Sequence, residues 1–300
     1  PMARPAIAAG VALALMETLA DFGVASYFGV QTFTAGIYKA WLSFDDRISA
    51  AQLATMLLLL VVLLLTLERR AQYKMRFAPS RARGGATEAQ PLRLHGARTA
   101  LAWAVCGTPV LLGFVLPVLM MLRPLAQQWD VYPWAQYAQW AFNSLRLATL
   151  SAVLAAALAL ALAFAVRRHP DRLTRTVVQI AGLGYAVPGA VIVVGLLLPV
   201  GWLQQAAPEL RVGYLVTATL LGVMWAYLVR FSEVALQSVQ AGYARVPASF
   251  DDSARTLGSG NLKLLRQVHW PLLQRSVLAA ALLVFVDVMK ELPATLLLRP

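Results

Sequence analysis

"FDDSARTLGSGNLKLLRQVHWPLL", residues 250–273, is a polar stretch set between two apolar runs. Its charges, its two glycines within three residues and its closing proline read as two short helices meeting at an elbow. Ser249 stands where it can cap the first helix. That helix carries Asp251 and Asp252 in its first turn, favourable near the positive end of the helix dipole, and Ser249 with Asp252 has capping-box spacing. Phe250, Ala254 and Leu257 then share one face. Gly258, Ser259 and Gly260 end this helix, Asn261 caps the next, and the second runs through Leu262, Leu265 and Val268 to Pro271. The result is an apolar face flanked by both signs of charge, suited to docking another protein; an amphipathic loop lying on a membrane is the alternative.

The chain on either side settles the solvent. Of 300 residues, 59% are hydrophobic and only 13% charged, too few charges for an ordinary soluble surface. A helix needs about 20 residues to cross roughly 30 Å of hydrocarbon. Apolar runs near 5–25, 51–67, 100–122, 144–166, 176–199, 213–232 and 276–296 meet or approach that length, and none alternates as a membrane β-strand does. The chain is predicted to be an all-α integral membrane protein with seven spans in this sequence.

The net charge of +12 is distributed in a way that excludes a nucleic-acid surface. Arg69, Arg70, Lys74, Arg76, Arg81, Arg83, Arg93 and Arg98 fall in one connection, Arg167, Arg168, Arg172 and Arg175 in a second, and Arg245, Arg255, Lys263, Arg266 and Arg275 in a third. The connections between them hold few basic residues. This alternation is the positive-inside pattern of a multi-pass inner-membrane protein. It places 68–99 and 233–275 in the cytoplasm and 26–50, 123–143 and 200–212 outside. The single Cys106 is expected to pack within a span, and His95, His169 and His269 show no metal-ligand spacing.

"PAIAAGVALALMETLADFGVAS" from Pro5 runs in step with "RSVLAAALLVFVDVMKELPATL" from Arg275 at an offset of 270 residues. Glu17 falls on Asp287 and Asp21 on Glu291. A repeat this long is a duplicated domain. The sequence is therefore expected to hold the C-terminal part of a first copy at 1–67, a basic linker at 68–99, and a second copy at 100–300 that lacks its last helix. Each copy would have six spans, related by an axis along the membrane normal. "AGLGYAVPGAVIVVG", residues 181–195, supplies glycines and Pro188 for close helix approach or a bend beside a pathway.

Asp287 and Glu291 share a helical face, with Lys290 one turn from Asp287, and the first copy repeats the acids as Glu17 and Asp21. Ionisable groups inside a membrane face protein or a water-filled path. Two readings fit these residues: an ion pair that holds helices in register, such as Asp287 with Lys290 or Arg146, or the lining of a path for a cation.

The opening stretch resembles the coupling loop of binding-protein-dependent ABC importer permeases, whose pattern is Glu-Ala-Ala, three residues, Gly, nine residues, Ile, one residue, Leu-Pro. Within 249–271, Asp252, Ser253 and Ala254 take the first three positions, Gly258 the glycine, Val268 the isoleucine, and Trp270 with Pro271 the closing pair. Trp270 is the larger departure. The resemblance implies a type I permease fold and a loop that seats on an ATPase subunit, with Asp252 as the charged contact and Gly258 as the turn. The runs "METLADFGVASYFGVQTFTAGIYKAWLSFDDR" and "FVDVMKELPATLLLRP" are similar to fused, double-length ferric iron permeases; permeases for thiamine, sulfate or polyamine are alternatives. No Gly-x-x-x-x-Gly-Lys-Ser/Thr loop is present in the sequence, so ATP and its Mg are expected on a partner and not on this chain. The implied partners are two copies of a cytoplasmic ABC ATPase, a periplasmic substrate-binding protein and the lipid bilayer. The chain itself would not be an enzyme. An ion-coupled secondary transporter is the alternative of a different class.

Overall fold

The computed structural model describes residues 4–73 and 95–298; of the linker at 68–99, residues 74–94 lie outside the described residues. The described chain is helical, without strands. Helices α1 (Arg4–Ala20), α2 (Gly23–Tyr27), α3 (Phe33–Tyr38) and α4 (Arg47–Tyr73) precede the linker. After it come α5 (Ala97–Val110), α6 (Leu116–Gln127), α7 (Trp134–Arg168), α8 (Arg172–Ala181), α9 (Gly189–Ala206), α10 (Val212–Thr217) and α11 (Leu220–Tyr243). The remainder is α12 (Ser249–Thr256), α13 (Asn261–Leu264), α14 (Trp270–Met289) and α15 (Pro293–Leu298).

Among the described residues, five helical stretches are long and apolar enough to cross a membrane: Arg47–Leu67, Ala97–Gln127, Trp134–Arg168, Gly189–Ala206 and Asn261–Met289. Helices α10 and α11, bent by 63° at their junction, form a sixth if taken together. The run expected to span at 5–25 is the 17-residue α1, which stops at Ala20.

Two further expected spans are broken. The run 176–199 divides into α8, a one-turn 3₁₀ segment at Gly184–Ala186 and α9. Val187 is extended (φ −88°, ψ 124°), as the residue before a proline prefers, so Pro188 ends one segment and opens the next. Helix α8 also carries Arg172 and Arg175, which oppose burial in lipid. The run 276–296 ends its helix at Met289, and α15 begins only at Pro293.

Two other prolines, Pro117 and Pro271, are absorbed by wide turns. Leu111–Val115 and Leu265–His269 are π-helical, and each lies just ahead of a proline, Pro117 or Pro271. A proline ring collides with the carbonyl four residues back, and a wider i→i+5 turn makes room for it. Pro271 therefore does not end the second helix of the loop. Asn261 to Met289 forms one continuous stretch through the π turn into α14.

Contacts divide the chain into Pro1–Met75 with Asn143–Pro300, and Arg76–Phe142, the boundary falling inside α7. In the smaller unit, the stretch Ala97–Gln127 presents no buried residue, and Cys106, expected to pack, is exposed on it. Trp129 and Trp134 sit with ring centroids 4.2 Å apart, and the Trp134 indole donates to the Trp129 carbonyl at 2.9 Å. Such aromatic clusters suit the membrane–water interface.

In the larger unit α11 is the hub, packed along α14 and against α9, α10, α15 and the 184–186 turn. Helix α4 packs on α1, α3 and α9, which joins the N-terminal helices to the C-terminal ones. Small residues make these approaches close. A β-carbon on Gly184 would overlap the backbone carbonyl of Val229 in α11, whereas one on Gly195 would meet nothing. Of the glycines expected to permit close approach, Gly184 does so and Gly195 does not. Gly184→Ala is therefore expected to lower stability by about 1–3 kcal/mol or more through overpacking. Gly195→Ala should be close to neutral, and thermal unfolding of the detergent-solubilised protein compares the two.

Candidate functional site

Two places in the larger unit gather the residues that the sequence singles out. One is a polar cavity at the helix breaks; the other is the loop between α11 and α14.

The breaks are built alike. Helix α1 ends at Ala20 and α2 starts at Gly23; 270 residues on, α14 ends at Met289 and α15 starts at Pro293. In the first, the Asp21 carboxylate accepts from the amides of Val24 (3.0 Å) and Ala25 (3.3 Å). In the second, Glu291 at the corresponding position accepts from the amide of Ala294 at 3.2 Å. These acids take over amide groups that a helix start leaves free, which lipid could not satisfy. Both breaks open on one cavity of about 400 Å³, lined by Glu17, Asp21, Arg230, Lys290 and Glu291. A second cavity of about 250 Å³, reached by Ser144, Tyr227 and Thr295, also touches Lys290 and Glu291.

The charges at this place are interlocked. Arg230 of α11 and Glu291 are both buried and meet at 3.1 Å. Lys290 stands 3.0 Å from Asp287 and 4.0 Å from Glu17, the two acids that the 270-residue offset pairs. The Tyr185 hydroxyl donates to Glu17 at 3.0 Å. Tyr38 of α3 donates to the carbonyl of Pro293, and Thr34 donates to the carbonyl of Leu19 at 2.6 Å. The structure thus brings Glu17, Asp21, Asp287, Lys290 and Glu291 together. The Asp287–Lys290 pair forms, whereas Arg146 is exposed and makes no ion pair among the described residues. Among those residues no three His, Cys, Asp or Glu side chains gather to hold a metal ion, so the acids line a cavity without forming a cage. Arg230 and Tyr185 went unread in the sequence. A lone arginine inside the apolar run of α11 was the available signal, since an ionisable residue there requires a partner.

The loop forms the elbow expected of it, with different caps. Helix α12 starts at Ser249 itself, with Ala248 before it and no side-chain cap, so the Ser249–Asp252 capping box does not form. The carbonyls of Pro247 and Ala248 receive the first amides instead. Gly260, not Asn261, precedes α13. The elbow is a Schellman turn: the Ser259 amide donates to Ala254 O at 3.0 Å and the Gly258 amide to Arg255 O at 2.9 Å. Gly258 takes φ +75°, a left-handed conformation that costs other residues roughly 1–2 kcal/mol. Phe250 and Leu257 face outward while Ala254 is buried, so the three do not form one exposed face. Asp252, Ser253, Trp270 and Pro271 are exposed, and Val268 is half-buried.

Beneath the elbow, Asp251 is held from two sides. Arg167 Nε at the end of α7 donates to its Oδ2 at 2.7 Å, and His269 Nε2 reaches its Oδ1 at 2.9 Å. Burial alone would raise the Asp251 carboxyl, but the bonds from Arg167 and His269 outweigh it and hold the group below the usual carboxylate range. This contact therefore stabilises the loop above the ordinary carboxylate pKa, and is lost as falling pH passes through the lowered one.

The Arg230–Glu291 pair gives the clearest stability test. Arg230→Leu alone should cost about 3–5 kcal/mol by stranding a buried carboxylate, while Arg230→Leu with Glu291→Gln, which is neutral but can still accept from the Ala294 amide, should recover most of the loss. Thermal unfolding of the single and double variants in detergent measures the difference.

No protein-family profile matches the chain. The chain spans about half the length of the curated relative it matches. Over 302 aligned residues, covering 99% of this chain and 58% of the relative, it is 26% identical, and so similar, to the Fe(3+)-transport system permease protein FbpB 2 of Haemophilus influenzae.

Proposed function

We propose that this chain forms the membrane-spanning path of an ATP-driven importer, with ferric iron as the cargo delivered by a periplasmic binding protein. One observation carries the reading: the elbow and the cavity lie at the two ends of a single helical stretch, Asn261–Met289. A force applied to the foot formed by α12 and α13 has a stiff route to Lys290 and Glu291. Helices are rigid over such lengths, and transporters commonly place their sites where helices are interrupted.

The partners follow from the two ends. The foot exposes Asp252, Leu257 and Leu262, with the basic Arg255 and Lys263 beside them, to an ATPase subunit on the cytoplasmic side. If each copy of the expected duplicated domain carries a foot of its own, one protein would engage two ATPases. At the other end, the cavity is lined by the carboxylates Glu17, Asp21 and Glu291 against the cations Arg230 and Lys290, three against two, and Lys290 is also held by Asp287 at 3.0 Å. Oxygen ligands and a negative surplus suit a hard cation such as ferric iron. The relative's name, an Fe(3+)-transport permease, supports the same cargo.

Asp287→Asn combined with Glu291→Gln is expected to reduce iron uptake by about tenfold or more, equivalent to roughly 1.4 kcal/mol of lost stabilisation for the passing cation. Uptake of radioactive iron into cells with equal amounts of the chain in the membrane measures it; unchanged uptake would remove the acids from the path. Thiamine, sulfate and polyamine in the same assay test the cargo, and transport by ATP-depleted vesicles under an ion gradient would point to a secondary transporter.

Gly258→Val forces a β-branched residue into a left-handed backbone, and Asp252→Lys reverses the exposed charge. Both should abolish co-purification of the ATPase while leaving the chain in the membrane. Normal co-purification with both variants would sink the docking role of the foot.

A further inference from the structure

Asp251 and Asp252 are adjacent and equally charged, yet one is buried and the other exposed. Asp252 is free to meet a partner. Asp251 turns inward, where its two oxygens are taken by Arg167 and His269. The Arg167 guanidinium also donates to the carbonyls of Val246 and Pro247, each at 3.0 Å, and lies over the Tyr243 ring at 5.3 Å. His269 is wholly buried, shares a hydrogen bond with the Tyr243 hydroxyl at 3.0 Å, and packs edge-on against Phe164.

These contacts tie four elements at one point. Arg167 and Phe164 belong to the end of α7, Tyr243 to the end of α11, Asp251 to the foot, and His269 to the π turn that leads into α14. That wide turn inserts an extra residue per turn just where His269 has to face inward. A simple need for stability does not call for such a cluster, because well-packed apolar residues do as well as a buried ion pair or better. What an ionic fork adds is direction: a planar guanidinium fixes the angle as well as the distance of what it holds.

We propose that Arg167, Asp251 and His269 form a clamp of positioning residues that makes the foot move as one body with α7, α11 and α14, and so sets how much cargo is moved for each ATP hydrolysed. This rests on the reading that the foot docks on an ATPase. In that reading Asp252 and the elbow hold the partner, whereas the clamp converts its movement into movement of the membrane helices. A foot that is docked but loosely joined would let ATP turn over without displacing the breaks at the cavity.

The test uses the full transporter in liposomes, with its ATPase and with Fe(3+) supplied on its periplasmic binding protein. Asp251→Asn and Arg167→Lys keep side-chain size but break the fork. Both should still co-purify with the ATPase and hydrolyse ATP. Iron moved per ATP should fall about five- to tenfold, within the range for changes along a coupling network. Amide exchange over 249–257 should quicken by about tenfold as the foot opens locally. Should either variant fold poorly, Arg167→Met with Asp251→Leu fills the site with apolar side chains and should show the same loss of iron per ATP. An unchanged ratio of iron to ATP in these variants, with the ATPase still bound, overturns the clamp alone. Failure of the unaltered chain to bind the ATPase overturns the docking reading, and the clamp falls with it.

Discussion

A helix that stops inside a membrane leaves backbone groups that no water can reach, and this chain stops two helices in corresponding places, after Ala20 and after Met289. Both breaks survive because a carboxylate placed in the break accepts the first amides of the next helix. Much of the larger unit follows from that requirement. Glu291 is buried where it does this, a buried carboxylate needs a partner, and the partner is Arg230, carried on the central helix α11 at 3.1 Å. The cavity exists where these groups and the unwound backbone need space and polarity. Its polar lining is thus a consequence of how the helices are ended.

The distance between the breaks and the foot gives the same helix two duties. From Asn261 to Met289 the chain is helical throughout, and Pro271, which would ordinarily stop or kink it, is accommodated by the π turn at Leu265–His269. That turn also directs His269 into the cluster around Asp251. One local irregularity therefore serves continuity and anchoring together, which explains why the loop does not end in a simple hinge at the proline. The foot is joined to the membrane helices by charged, directional contacts, and its outer surface is left to Asp252, Arg255, Lys263 and exposed apolar side chains such as Leu257 and Leu262.

The sequence made several features legible because they depend on local chemistry or on repetition. Hydropathy located the long spans, the offset of 270 residues paired Glu17 with Asp287 and Asp21 with Glu291, and two glycines marked the elbow that Gly258 forms at φ +75°. Other features depend on partners far along the chain and could not be read. That Asp251, not Asp252, turns inward is decided by Arg167, 84 residues away. That Arg230 belongs to Glu291 is decided by the packing of α11 on α14 and α15. The caps were misplaced by one residue at each helix of the loop, because backbone carbonyls and Gly260 do what Ser249 and Asn261 were expected to do. The apolar run 176–199 hid a break for a different reason: hydropathy averages over Pro188, while the backbone does not.

The two copies expected from the 270-residue offset are alike in charge but not in detail, and the differences bear on direction. Where the second copy has Lys290, the first has Ala20. A single ammonium therefore stands between acids of both copies, 3.0 Å from Asp287 and 4.0 Å from Glu17. The acids also exchange length. The long Glu17 reaches Tyr185, and the long Glu291 spans from Arg230 to the Ala294 amide, while Asp21 does no more than cap its own helix. A symmetric ring of carboxylates would hold a cation equally from every side. Here the positive side chains crowd the second copy and leave Asp21 of the first without an ion pair among the described residues. In the proposed reading the negative surplus thus lies toward one side of the cavity, and movement of α14 shifts Lys290 and Glu291 together while Glu17 and Asp21 stay with α1. Displacing one copy against the other changes the charge that a passing cation meets, which is what alternating exposure of a site requires.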